Sequence, residues 1–261
     1  MPIFKNQTEV TSLHEWERLA SPKSPDQWVD GRSAKESARA WLEGGGVELP
    51  AEVGAALAAH PAFGPVHTWV AEPEAKLRFD TFAGEPRNSD LAVYGQDAHG
   101  PYLMAVEAKA DESFAETAAD TLAAALERYL ENERSNGLVR VQQLSQALLG
   151  PRKPGDPQIK ELRYQLLTAS AGALCEAERL GYSRALLLIH EFFTDKTSDE
   201  NHRRNATDLD RYLQRLSHGD ITTLGFGEIC GPFTVPGVPL LNSSVKFFVG
   251  KVSRNLRRGG I

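Results

Sequence analysis

Short apolar runs set between glycines and prolines fill the middle of the chain, and helix-period patterns flank them. Residues 66–71, 76–82, 91–94 and 102–108 are runs of four to seven residues, the length and composition of strands rather than helices. Before them, residues 12–19 form a short amphipathic piece, 21–26 punctuate with serine and proline, 33–43 are helix-forming until glycines 44–46 stop them, and 51–60 follow Pro50 as a second helix. After them, Ser113-Phe114-Ala115-Glu116 has the capping-box pattern and predicts a helix start. In that helix Leu122, Leu126, Tyr129 and Leu130 make one apolar stripe, read as core.

Further helices are predicted over 138–149, over 159–180 with Gly181 just beyond, and over 203–216. Residues 184–189 read as a buried strand, and the runs 222–226 and 245–252 extend or cover the same sheet. Helix, antiparallel strands, helix and strand in that order predict an α/β fold with a mixed central sheet flanked by helices. The expected organisation is an N-terminal extension over 1–30, a core over 31–195 and a C-terminal extension over 196–261 packed on that core.

The strand pattern also sets out candidate chemistry. Residues 95–100 are turn-rich and predict a hairpin pairing 90–94 with 102–106, which brings Asp90 beside Glu107 at one end of the sheet. Residues i and i+2 of an extended chain share a face, so Glu107 and Lys109 leave the strand together while Ala108 turns away. Two hard carboxylates with open positions suit Mg²⁺, which keeps several waters and is commonly completed by phosphate oxygens. A lysine on the same face is positioned to orient a water, which is phosphodiester hydrolysis chemistry.

Asp90, a gap, then Glu107-Ala108-Lys109 at the end of the next strand resemble the signature of the PD-(D/E)XK nuclease superfamily. Segments 106–114, 162–167 and 173–181 resemble a bacterial branch of it, and the likeness covers residues 30–195. Ser89 stands where that signature usually has proline. The resemblance implies a restriction-endonuclease-like core and a site in which Asp90, Glu107 and the backbone carbonyl of Ala108 hold Mg²⁺ or Mn²⁺ while Lys109 positions the attacking water. It further implies an acid from the helix before the strands, with Glu36 and Glu43 as candidates two helical turns apart. Gln165, in Arg163-Tyr164-Gln165, is similar to the glutamine of the RecB-type helix motif, whose amide can hold the catalytic lysine or a nucleotide edge, or simply hydrate on a helix flank. Nucleic acid is the implied partner, DNA before RNA, and a homodimer is admitted.

Composition trims this picture. The chain has 261 residues, 41% of them hydrophobic, enough for one sizeable core. Its net charge of −6 disfavours a broad electrostatic grip on nucleic acid, although Arg152 and Lys153 in a proline-rich loop, and Lys251, Arg254, Arg257 and Arg258 near the end, are local cations. Two cysteines without a paired motif and seven scattered histidines give no zinc pattern. No apolar run approaches the roughly 20 residues that span a bilayer, and no signal-type segment opens the chain, so a cytoplasmic protein without membrane contact is expected.

Other residues are weighed and set lower. Glu72, Glu74 and Glu85 are acids that can enter the site from loops. His190-Glu191 ends the neighbouring strand and reads as structural. Ser33 and Lys35 diverge on a helix and make no dyad, and residues 225–231 lack the glycine spacing of a dinucleotide loop. The leading expectation is a metal-dependent nuclease. Its alternatives are a nuclease-like module that binds nucleic acid or protein without cutting, and a hydrolase of another phosphoester.

Overall fold

The computed structural model describes residues 2–22, 24–83, 85–242 and 244–258. In chain order the elements are β1 (Phe4–Lys5), β2 (Thr8–Glu9), α1 (Leu13–Ala20), α2 (Ser33–Leu42), α3 (Ala51–Ala59), β3 (Thr68–Leu77), β4 (Arg87–Asp97), β5 (Gly100–Lys109), α4 (Ala118–Glu131), α5 (Gly137–Leu149), α6 (Tyr164–Arg179), β6 (Arg184–Phe193), α7 (Asp199–Leu216), β7 (Glu228–Phe233) and β8 (Lys246–Asn255).

The fold is α/β. Six strands form one mixed sheet in the order β3-β4-β5-β6-β8-β7. β3, β4 and β5 are an antiparallel meander, β6 runs parallel to β5, β8 parallel to β6, and β7 antiparallel to β8. The return from β5 to β6 passes through α4, α5 and α6, the long crossover that a parallel pair requires. Among the described residues no helix is long and apolar enough to cross a membrane.

Strict alternation divides β5 between two cores. Leu103 and Ala105 join the cluster beneath α6 and α7, whereas Tyr102, Met104 and Val106 join the cluster beneath α1, α2 and α3. A sheet covered on both faces favours continuous apolar runs. Each Leu, Val or Ile fully buried here contributes about 1.5–3 kcal/mol. Gly95 stands opposite Tyr102 across the β4–β5 ladder, where a Cβ would overlap the tyrosine ring.

Several boundaries differ from the sequence expectation, each for a local reason. The runs 66–71 and 76–82 are joined in one strand, β3, because Glu74 takes φ +48° and the chain changes face without breaking the ladder. Trp69 and Ala71 therefore pack on one side of the sheet, Ala75 and Leu77 on the other. The capping box that opens α4 is Thr117 with Asp120, and Ser113 lies in the preceding loop. The expected helix 159–180 is interrupted at Leu162 and Arg163, which are extended. They pair there with the preceding segment, Ala118 N donating to Leu162 O and Tyr164 N to Glu116 O. Residues 222–226 form no strand, and β7 begins at Glu228, after Gly227 at φ +82° has donated its N–H to Lys251 O.

Both ends of the chain add to this architecture. Ile3, Val10, Trp16, Ala20 and Trp28 of the first 30 residues are buried in the α1–α3 core, and Ile3 bridges Ala71 of β3. The residues after 195 supply two of the six sheet strands as well as α7. The stripe read as core on α4 faces outward, with Leu122 45%, Leu126 46%, Tyr129 37% and Leu130 70% exposed. It is Ala118 and Ala125 of α4 that are buried.

Candidate active site

Asp90, Glu107 and Lys109 come together at one end of β4 and β5. The register Leu91↔Val106 places Asp90 at the position facing Glu107, and the Ala108 N–H donates to Asp90 Oδ2 at 2.7 Å. An extended residue sends its N–H and C=O to the same side, so the Ala108 carbonyl is directed toward Asp90 as well. Glu107 and Lys109 are almost wholly buried, 1% and 6% exposed, on the face covered by α6.

Gln165 joins the two. Because the chain is extended at Leu162 and Arg163, α6 starts at Tyr164 and Gln165 sits in its first turn. Its Oε1 accepts from Lys109 Nζ at 3.0 Å, and its Nε2 donates to Glu107 Oε2 at 2.8 Å. This amide orientation satisfies both charged partners. Arg163 holds the helix start in place, donating to Ala115 O at 2.8 Å and to Asp208 Oδ2 of α7 at 2.8 Å. Lys109 also reaches Ser113 O at 3.4 Å and lies over the Phe114 ring, 5.1 Å from its centroid.

Two further residues complete the cluster. Arg87 Nη2 donates to Glu107 Oε1, and its Nη1 donates to Thr168 Oγ1 of α6 at 3.1 Å. Glu74 occupies the β3 position that the register sets opposite Asp90, and its Oε2 accepts from Asn88 Nδ2 at 3.1 Å. The N-terminal segment supports this turn of β3: Lys5 Nζ donates to Glu74 O at 2.8 Å and to Glu72 Oε1 at 3.1 Å. Glu74 was legible only as one of several nearby acids. Arg87 carried no signal, since i−3 from Asp90 is not a same-face spacing on a strand.

Burial first, and crowding of carboxylates second, set the electrostatics. Burial pushes the Asp90 carboxyl up to about 7, with Glu107 and Glu74 adding to the rise and Lys109 and the Ala108 N–H opposing it. Beside the cluster opens a cleft of about 340 Å³ lined by Arg78, Asp80, Arg87, Arg140, Tyr164 and Gln165, among others. Arg140 Nε binds Asp80 Oδ2 at 2.7 Å within it.

The donor set fits a magnesium-type ion. Among the described residues no group of three or more His, Cys, Asp or Glu stands ready to hold a metal. Mg²⁺, however, is commonly bound through one or two carboxylates with waters and substrate phosphate. Asp90, Glu107 and the Ala108 carbonyl are hard oxygen donors of that kind, and an Asp90 carboxyl whose ionisation is opposed by burial and by neighbouring anions is a group that a cation would relieve.

Glu36 and Glu43 are not brought to this cluster. Glu36 Oε1 accepts from Gly31 N and from Arg39 Nη1, each at 2.7 Å, and Glu43 pairs with Arg254 of β8. Both are structural ion-pair partners on the other side of the sheet. His190 is buried with its Nε2 2.9 Å from Glu52 Oε1, and burial holds it below the usual imidazole range. Glu191 is tied to His202 of α7 and lies 3.6 Å from Lys251 Nζ. Burial pushes the Cys175 and Cys230 thiols up to about 12, which leaves neither as a nucleophile.

The model of a family described as a domain of unknown function, DUF6946, matches residues 9–256. No curated protein and no solved structure matches the chain.

Proposed function

The chain belongs to the DUF6946 family, whose model spans residues 9–256, and we propose that its site hydrolyses phosphodiester bonds of nucleic acid, with DNA the first substrate to test. The observation that carries this reading is Gln165 bridging Lys109 and Glu107 while the Ala108 N–H holds Asp90. That arrangement gathers two acids, a lysine and a helix glutamine, all four on the positions at which the sequence resembles a PD-(D/E)XK nuclease.

A Mg²⁺ or Mn²⁺ ion held by Asp90, Glu107 and the Ala108 carbonyl would lower the pKa of a water and neutralise phosphate charge. The protein's own groups do the rest. Lys109 Nζ has three N–H donors; Gln165 and Ser113 take two, and the third orients the attacking water. Gln165 fixes that ammonium and turns the Glu107 carboxylate. Asp90 must release its proton before it can act as a ligand. The cleft beside Gln165 receives the strand, with Arg78, Arg87 and Arg140 along its wall.

Pure protein incubated with linear, circular and single-stranded DNA and with RNA, in Mn²⁺ or in EDTA, tests the proposal. Cleavage in Mn²⁺ alone, falling about 100-fold or more in Lys109→Ala, supports it. No cleavage of any substrate, or equal cleavage by the variant, rejects it. A second reading, a nuclease-like module that binds without cutting, draws on the ion pair between Arg87 and Glu107, because a Glu107 already neutralised needs no ion. Mn²⁺ binding separates the two.

A further inference from the structure

We propose that Arg87 is a built-in second cation of this site, so that the site takes a single divalent ion. The inference deepens the hydrolytic reading and rests on it. Arg87 opens β4 three residues before Asp90, and its guanidinium is clamped from two directions. Nη2 donates to Glu107 Oε1, and Nη1 donates to Thr168 Oγ1, whose own hydroxyl donates to Gln165 O at 3.1 Å. Thr168 and Gln165 are one turn apart on α6, and all three residues line the cleft. The Arg87 side chain is only 14% exposed, and its Nε is buried with no partner among the described residues.

A planar guanidinium is permanently charged and offers a fork of donors matched to carboxylate and phosphate oxygens. Held on Glu107 Oε1, it sets a permanent positive charge beside that carboxylate, whose other oxygen, Oε2, accepts from Gln165 Nε2 at 2.8 Å. Formal charge agrees with one ion. Arg87 and Lys109 balance ionised Asp90 and Glu107, so one divalent cation with one phosphodiester already adds a single positive charge. A second divalent cation would raise the excess to three in a largely buried site, a costly imbalance.

The test is the number of Mn²⁺ ions bound per chain, measured by isothermal titration and by electron paramagnetic resonance of the free ion. Wild type and Arg87→Lys are expected to bind one, and Arg87→Gln, which keeps side-chain donors but not the charge, two. With nuclease activity present, the cleavage rate is expected to be first order in Mn²⁺ for wild type and second order for Arg87→Gln. Two ions in wild type, or one in Arg87→Gln with unchanged affinity, overturns the assignment and leaves the hydrolytic reading intact. If wild type binds no ion, the hydrolytic reading falls first and Arg87's role with it.

Discussion

Lys109 and Gln165 lie 56 positions apart in the chain and meet at 3.0 Å, ammonium to amide oxygen, beneath the first turn of α6. One neutral side chain thereby fixes both charged groups of the Glu107-Ala108-Lys109 segment. Neither has to be placed by the other.

Gln165→Ala is expected to leave the Lys109 ammonium and one Glu107 oxygen short of a partner in a buried setting, at a cost of about 1–3 kcal/mol. Urea denaturation measures this. If the proposed chemistry is present, cleavage falls more than stability alone explains, because the ammonium loses its orientation. A variant as stable and as active as wild type would remove Gln165 from the site.

The Asp90 carboxyl makes stability depend on pH in a definite sense. Its pKa is about 7 in the folded chain against an ordinary 3.8, so the folded state binds this proton more tightly than the unfolded state. The contribution is complete below pH about 4 and is lost as pH rises through about 7. In EDTA, wild type should be less stable at pH 8 than at pH 5 by more than Asp90→Asn is. Equal pH slopes for the two proteins would contradict the half-buried, anion-crowded position of Asp90.

Mn²⁺ should reverse that loss. An ion bound only by the folded chain stabilises it by about 2.7 kcal/mol at a hundred times its Kd. Because the ion competes with the Asp90 proton, its apparent affinity should rise with pH up to about 7 and then level. Thermal shifts in Mn²⁺ at several pH values read this directly, and Asp90→Asn and Glu107→Gln are expected to abolish the shift. A shift that survives both substitutions would place the ion elsewhere.

The outward stripe of α4 gives a test independent of chemistry. Leu126→Ser and Leu130→Ser are expected to change stability by no more than about 0.5 kcal/mol. Leu144→Ala, on the buried face of α5, is expected to cost about 2–5 kcal/mol. Comparable losses at all three positions would mean that the α4 stripe is covered.

Periodicity alone marked the elements with strong local signals: α2 stopped by glycines 44–46, α3 after Pro50, the β4–β5 hairpin around residues 95–100, and α6 with Gly181 at φ +70° beyond its end. Period-2 geometry put Glu107 and Lys109 on one face, and the hairpin put Asp90 beside them, since both relationships are set within about 20 residues of chain. An apolar stripe states that a surface is hydrophobic but not what lies against it, so α4 was assigned the wrong face.

Only the tertiary structure decided how the distant groups reached the cluster and which of the nearby acids joined it. Gln165 arrives because the 116–118 segment pairs with residues 162–164 and ends the preceding helical turn. Glu74 arrives because one left-handed residue turns β3 over, with Lys5 from the chain's start holding that carbonyl. Arg87 arrives through α6, and Glu36 and Glu43 are drawn away by Arg39 and Arg254. Local sequence sets backbone period and therefore faces, whereas contacts between elements follow from which faces close on one another. That is a property of the whole packed chain, in which each charged side chain takes the nearest partner able to offset its loss of water.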